Sequence, residues 1–162
     1  PLLIGLSAGE HPLQMMCSAP FRGSYRALHV HLAALKKKIR QNGFSILRVK
    51  PEVLLSARHL IRGQIAYYEC HIKLMIPARQ GRRLIEFSQE HDLHPSRNLF
   101  AGEDRGLQKW YLTTRLYNGS VAKARRKFRK TFLETKLVFP VTEMSVECAV
   151  YDTNPALDKG WI

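Results

Sequence analysis

The chain has 162 residues, and its 26 Lys and Arg residues against 13 Asp and Glu residues give a formal net charge of +13. This length fits one domain, or one and a half, and it excludes two large domains. A hydrophobic fraction of 45% is ordinary for a folded protein, which excludes a disordered basic tail. No apolar run approaches the roughly 18 residues of a membrane helix. Residues 1–6 are apolar but lack the charged start of a signal peptide, so we expect neither a signal peptide nor a membrane partner.

The positive charge indicates the class of partner. A net +13 on 18.6 kDa is typical of proteins that bind nucleic acid or another phosphate-rich polyanion. Arg outnumbers Lys by 15 to 11, which favours phosphate because the guanidinium group can donate two parallel hydrogen bonds. Two alternatives stay open at this point. The charge could serve solubility, or it could dock the chain as a subunit on an acidic protein.

The three cysteines, Cys17, Cys70 and Cys148, are widely spaced and contain no Cys-x-x-Cys pair. Cys70 and Cys148 fall within alternating apolar segments, where cysteine behaves as a small core residue. This pattern predicts free thiols and an intracellular, reducing compartment such as the cytoplasm or an organelle matrix. A zinc site would need four ligands at short spacing, and the sequence has no such set.

The opening third predicts a β-α-β order. Ser24 is a plausible N-cap for a helix over residues 25–41, which Asn42-Gly43 would end. Its leucines and Ile39 recur at helical spacing, and residues 44–53 then alternate like a strand. We therefore assign residues 1–64 to a β-α-β half-unit with a connector.

From residue 66 onward, segments with the two-residue apolar period of strands alternate with segments of helical period. This predicts a β-α-β-β-α-β order. That order is typical of a ferredoxin-like α+β unit, with an antiparallel sheet and both helices on one face. We assign residues 65–151 to this unit and 152–162 to a C-terminal strap whose Trp161 packs back on the body. The predicted strands are 66–76, 94–100 (at a sheet edge), 109–117 and the alternating end of 137–151, and the predicted helices are 80–91 and 121–135.

Alternation also predicts a polar sheet face in which aromatic and basic side chains are interleaved. Single-stranded nucleic acid uses such faces, because bases stack on the rings and phosphates pair with the cations. The fold is similar to that of RNA-recognition-motif proteins, but residues 109–115 lack that family's Gly-Phe-Gly-Phe signature, so no family is assigned. The leading hypothesis is a non-enzymatic module that binds RNA or a similar polyanion, as a subunit of a ribonucleoprotein or larger assembly. The predicted phosphate-binding residues are Arg48, Lys50, Tyr67, His71, Lys73, Tyr111 and Arg115 on the face, and Lys123, Arg126, Lys127 and Lys130 on the helix predicted over residues 121–135.

The carboxylates expected on the same face support a different class of protein. Glu69, His71 and Glu147 are candidate catalytic residues of a metal-dependent phosphoryl-transfer enzyme or phosphoester hydrolase. In that interpretation Glu69 and Glu147 hold Mg²⁺ or Mn²⁺, whereas the RNA-binding interpretation needs no cofactor. A purely structural interpretation also stays open. The charges could form cross-strand pairs, or the opening β-α-β segment could cover the face.

Overall fold

The computed structural model describes residues 1–102 and 104–161 of the chain. Within these residues seven strands form one sheet in the order β2-β1-β5-β6-β4-β7-β3, and every pair of neighbours is antiparallel. This confirms the predicted α+β class. The strands are β1 (Leu2–Leu6), β2 (Leu13–Met16), β3 (Glu52–Leu54), β4 (Tyr67–Pro77), β5 (His94–Asn98), β6 (Leu107–Leu116) and β7 (Val141–Ala149), and the helices are α1 (Tyr25–Gln41), α2 (Gly81–Glu90) and α3 (Val121–Val138).

The centre of the sheet is the long pairing of β4 with β6, which runs from Tyr68 opposite Leu116 to Pro77 opposite Leu107. One face of this centre is apolar because alternate residues of β4 point to the same side. Ile72 of β4, Leu84 of α2 and Phe128 of α3 are completely buried in one core. Helices α2 and α3 therefore pack on the same face. Burial of each such side chain contributes about 1.5–3 kcal/mol to stability.

Helix α1 has the bounds that the sequence predicts. The Ser24 side chain accepts a hydrogen bond from the backbone N–H of Ala27, and Gly43 follows the helix with a φ of +83°. That left-handed conformation suits glycine and ends the helix. In contrast with α2 and α3, however, α1 contains no fully buried side chain.

The strand predicted over residues 44–53 is wrong for most of its length. Only Glu52–Leu54 forms a strand, paired with β7. The preceding residues run extended beside the C-terminal segment, where Val49 both donates to and accepts from Thr153. Pro51 has no N–H, so it can only accept, which it does from Val150.

Two further boundaries differ from the prediction. Helix α3 extends to Val138 instead of residue 135, so β7 begins only at Val141. Strand β5 is not an edge strand, because β1 pairs with it on the side away from β6. Pro95 is tolerated there because the pairing of β5 with β1 begins only at Ser96, the residue after the proline.

The C-terminal strap, residues 152–161 as the structure describes them, packs back on the body as predicted. The Trp161 indole N–H donates to the carbonyl of Pro95 at 3.2 Å, and the side chain is buried. Gly9 has a φ of +100° and lies so close to Trp161 that a Cβ at this position would be only 3.0 Å from the tryptophan Cβ. None of the described helices combines the length and the apolarity that a membrane span needs.

Candidate functional site

The candidate site is the sheet face opposite α2 and α3, which we call the polar face. The register of β4 places Glu69 opposite Arg115 of β6 and opposite Glu147 of β7. Directly opposed residues of antiparallel strands project to the same side. The polar face thus carries the side chains that alternation predicts, with His71 opposite Thr113 and Ser145, Lys73 opposite Tyr111 and Glu143, and Tyr67 at the start of β4.

Glu69 lies at the centre of the polar face and is only 1% exposed. Its carboxylate accepts from Arg115 Nε at 2.6 Å and from Lys50 Nζ at 2.7 Å, and His71 Nε2 lies 3.4 Å away. Burial alone would raise the pKa of Glu69, but His71, Lys50 and Arg115 outweigh it and hold the pKa well below its usual range. Glu69 is therefore an ionised, fully paired carboxylate.

The C-terminal strap supplies two more carboxylates to the polar face. Asp158 accepts from Arg115 Nη2 at 2.7 Å and lies 2.8 Å from Arg48 Nη1. Asp152 accepts from Arg48 and from the Tyr67 hydroxyl, the latter at 2.6 Å. Burial and the Asp152 hydrogen bond raise the pKa of Tyr67, so the phenol stays a neutral donor. These contacts join the strap to the sheet, with Arg115 buried and Arg48 half-buried.

His71 occupies the half-exposed rim of this network. Its Nδ1 lies 3.0 Å from Thr113 Oγ1, and its Nε2 lies 3.8 Å from Glu147. Burial alone would lower the pKa of His71, but Glu69 and Glu147 outweigh it, and the net shift is upward. For Glu52, burial and the nearby carboxylates of Glu69 and Glu147 raise the pKa to about 7 despite the opposing effect of Lys50.

Three side chains of this rim could in principle hold a metal ion. Ligand atoms of Glu52, Glu69 and His71 lie within 4.8 Å of one another. The ammonium group of Lys50, however, lies 2.7 Å from a carboxylate oxygen of both Glu52 and Glu69. The protein's own cation thus occupies the space between the two carboxylates, and a metal ion could bind there only if Lys50 moved away.

The charge balance of the polar face is unfavourable for phosphate. Among the described residues, five cations (the four predicted ones and Lys109, which lies opposite Met75 of β4) face six carboxylates, which leaves a net charge of −1 when His71 is neutral. Each of the four predicted phosphate-binding cations has a carboxylate partner: Arg48 has Asp152 and Asp158, Lys50 has Glu52 and Glu69, Lys73 has Glu143, and Arg115 has Glu69 and Asp158. Tyr111 is half-buried between Lys73 and Ser96.

The predicted cations of α3 have different surroundings. Lys127 turns inward and donates to the backbone carbonyl of Arg115 at 2.8 Å. Lys130 has a weak partner in Glu134 at 3.7 Å, and its side chain is largely exposed. Within residues 1–102 and 104–161, Lys123, Arg125, Arg126 and Arg129 form no ion pair. The predicted phosphate-binding residues do not include Arg125 and Arg129, although each is the next residue after buried Ala124 or Phe128 and is therefore turned away from the core around the helix.

Most of the net charge of the molecule lies on two helices. Helix α1 carries +5 with no carboxylate, and α3 carries +6 after Glu134 is counted. The two helices therefore hold +11 of the net +13, and the remainder of the chain is close to neutral. Concentrated charge of one sign without internal partners creates a local potential that attracts polyanions.

Comparisons of the chain with protein-family models, with curated proteins and with solved structures gave no match. The arrangement of the charged side chains is consequently what supports a function.

Proposed function

We propose that this protein is a non-enzymatic module that binds RNA or a similar phosphate-rich polyanion through the outward face of α3. The observation that carries the proposal is the set of exposed cations on this face: among the described residues four of them have no ion-pair partner, and Lys130 has only Glu134 at 3.7 Å. We call this set the α3 basic face: Lys123, Arg125, Arg126, Arg129 and Lys130.

The polar face is a weaker candidate for phosphate. Apart from Lys73, whose partner Glu143 is exposed, the predicted cations of this face could bind phosphate only by displacing Glu69, Asp152 or Asp158. Displacement would leave a buried carboxylate unpaired, which costs several kcal/mol (about 3–5). The α3 basic face requires no displacement. Its cations would release only counterions when phosphates bind.

The dimensions of the α3 basic face favour contact with a short stretch of backbone. From Lys123 to Lys130 the helix rises by about 10 Å, since each residue adds about 1.5 Å. Leu133 and Leu137 continue the outward face and are 50% and 88% exposed. Exposed leucines next to a basic surface support the proposal that a neighbouring protein subunit binds there, as in a ribonucleoprotein.

For the fold, we propose that residues 65–151 form a ferredoxin-like unit. The support is the strand order β5-β6-β4-β7, with β4 and β6 in the middle and with α2 and α3 on one face. For the compartment, the intracellular and reducing assignment stays a prediction. Cys70 and Cys148 are free, completely buried thiols, as that prediction requires.

The test of the proposed function is the salt dependence of RNA binding. The α3 variant replaces Arg125, Arg126, Arg129 and Lys130 with Gln, and fluorescence anisotropy measures its affinity for a labelled single-stranded RNA. Each lost contact should reduce the slope of log K against log salt concentration by about 0.7, so we expect a reduction of about 2 to 3. A matched control removes four exposed cations elsewhere: Arg62, Arg79, Arg82 and Arg105, each to Gln.

The proposal predicts a near-normal slope for the control and a much flatter one for the α3 variant. If wild-type protein binds no RNA between about 50 and 200 mM salt, or if both variants lose the same affinity, the proposal is wrong.

The metal-dependent enzyme is a second candidate, favoured by the close approach of Glu52, Glu69 and His71. These residues offer the oxygen and imidazole ligands that Mn²⁺ accepts, and such an ion could stabilise the developing charge of a transferred phosphoryl group. This candidate predicts that Mn²⁺ binds in place of the Lys50 ammonium and that Lys50→Ala strengthens binding. Calorimetric titration with Mn²⁺ tests it. The absence of binding to both wild type and Lys50→Ala would exclude this candidate.

A further inference from the structure

We propose that the C-terminal turns of α1 form a second polyanion-binding surface, separate from the α3 basic face, so that one molecule can hold two RNA strands. We call this surface the α1 basic turn: Lys36, Lys37, Lys38 and Arg40. The inference rests on the proposed function because it assigns the same class of ligand to a second place.

The first argument is the absence of internal partners for the α1 basic turn. Helix α1 contains no Asp or Glu, and among the described residues none of its cations forms an ion pair. Lys37, Lys38 and Arg40 are exposed, and Lys36 is half-buried. Lys36 and Arg40 are four residues apart and repel each other on the helix surface. Closely spaced phosphates would relieve that repulsion.

The second argument is where α1 is attached. The His29 ring stacks on Tyr151, which follows the end of β7, at a centroid distance of 6.1 Å. The chain that leaves α1 then sends Arg48 and Lys50 to their carboxylate partners on the polar face. The segment that follows α1 thus lies on the polar face of the sheet.

Helix α3 lies on the opposite side. Its Ala124 and Phe128 pack into the core with Cys70 and Ile72, on the face of β4 that points away from Glu69. No residue of α1 belongs to the core into which α3 packs, so the two basic surfaces lie on helices that are held to the sheet by different contacts. Two separate cationic surfaces on one molecule can bind two segments of polyanion at once, and a long strand that reaches both would gain avidity.

The third argument is how loosely α1 is held. No side chain of α1 is fully buried, and its contacts with the body include a ring pair, His29 with Tyr151, in place of a packed core. A helix that gains little from tertiary packing is marginal in isolation. Neutralisation of the α1 basic turn by phosphates would stabilise it, so binding and ordering of α1 are coupled.

The test counts the RNA molecules bound to the full chain. The probe is octauridine, measured by native mass spectrometry and by energy transfer between donor-labelled and acceptor-labelled copies. The α1 variant replaces Lys36, Lys37, Lys38 and Arg40 with Gln, a residue that keeps good helix propensity. The charge-keeping variant replaces the three lysines with Arg. The α3 variant and the control variant are those described above.

We expect two octauridines, and energy transfer, on wild type, on the control variant and on the charge-keeping variant. The α1 variant should bind one octauridine and lose the energy transfer, and so should the α3 variant. Circular dichroism with and without octauridine reports whether α1 gains helix on binding. The gain should occur in the charge-keeping variant and not in the α1 variant.

The outcomes separate the two proposals. If wild type binds one octauridine and the α1 variant binds it equally well, the second surface does not exist and the proposed function stands. If wild type binds none, both proposals are wrong. If polyglutamate binds and octauridine does not, the basic surfaces take an acidic protein, which also overturns both.

Discussion

Glu69 is held by cations from three separate segments of the chain: Lys50 before β4, His71 within β4, and Arg115 at the end of β6. An ionised carboxylate in this position would be strongly unfavourable without these partners, because burial removes its hydration. The three contacts compensate for that loss, and they join segments that are distant in sequence. In this arrangement Glu69 holds the segments of Lys50 and Arg115 together at β4.

The first prediction concerns Glu69→Gln, which removes the negative charge that Arg115 and Lys50 pair with. We expect a loss of unfolding free energy of about 3–5 kcal/mol, as for other buried pairs that lose one partner. Urea denaturation measures this loss. The matched control is Glu143→Gln, whose carboxylate pairs with Lys73 at the surface and is 61% exposed. It should cost at most about 1 kcal/mol. Equal effects of the two substitutions would contradict the account.

The second prediction concerns the pH dependence of stability around the rim of the polar face. The pKa of His71 is raised in the folded protein, so protonation of His71 stabilises the fold. This stabilisation is complete below pH 6.5, the usual pKa of histidine, and is lost as the pH rises through the pKa that His71 has in the folded protein. The pKa of Glu52 is raised from 4.5 to about 7, so the folded protein keeps this proton to a higher pH than the unfolded chain does. The stability that this contributes is lost as the pH rises from 4.5 to above 7. Both groups therefore make the protein less stable as the pH increases from about 4.5 to above 7.

Urea denaturation at a series of pH values measures this decline, and Glu52→Gln should make it shallower. The lowered pKa values of Glu69 and Asp152 act in the opposite direction, but only in acid below their usual values of 4.5 and 3.8. A stability that rises steadily from weakly acidic to alkaline pH would show that the rim is not arranged as described.

Helices α1 and α3 have similar lengths and serine N-caps but differ in how they are held. Ser24 and Ser120 each accept from the backbone N–H three residues ahead. Helix α3 buries Phe128 and Ala124 completely, whereas α1 buries no side chain. The stability of α3 thus comes from packing, and that of α1 comes mainly from its caps and sequence.

The third prediction follows from this difference. Amide hydrogens in the middle of α1 should exchange with solvent much faster than those of α3, because local opening of α1 exposes little apolar surface. Hydrogen–deuterium exchange followed by mass spectrometry measures both helices in one experiment. The amide hydrogens of β4, at the centre of the sheet, serve as the internal reference for the slowest exchange. Equal protection of the two helices would indicate that α1 packs more firmly than its exposure suggests.

At the scale of elements, sequence periodicity predicts those segments whose own residues decide their conformation. The bounds of α1 follow from Ser24 and Gly43, and β4 follows from its long alternation. The irregular path of residues 44–51 could not be predicted, because it depends on hydrogen bonds to residues about a hundred positions away, such as Val49 with Thr153. The internal position of β5 depends in the same way on the distant hairpin of β1 and β2.

For the candidate site, alternation predicts which side chains share the polar face but not which residues form ion pairs with them. From the sequence alone, Arg48 and Arg115 are predicted to bind phosphate. Asp152 and Asp158, which neutralise them, lie in a strap with no periodic pattern to place it. The exposed cations of α3 required only helical geometry, so their availability could be predicted more directly.

At the scale of the whole molecule, charge is divided between a nearly neutral sheet and two strongly basic helices. The polar face resembles a ligand site in composition, but its cations are used to hold the strap and residues 44–51 on the sheet. The outward faces of α1 and α3 carry the charge that has no internal use. The central claim is therefore that polyanions bind to the helices and not to the polar face.

Lysine footprinting tests this claim most directly, because lysines lie on all three surfaces. The 162-residue chain is treated with an amine-acetylating reagent with and without single-stranded RNA, and modification is quantified by mass spectrometry. The account predicts that RNA protects Lys123 and Lys130 of α3 and Lys37 and Lys38 of α1, while Lys73 on the polar face reacts equally in both samples. Protection of Lys73 with unchanged reactivity of the helix lysines would contradict it.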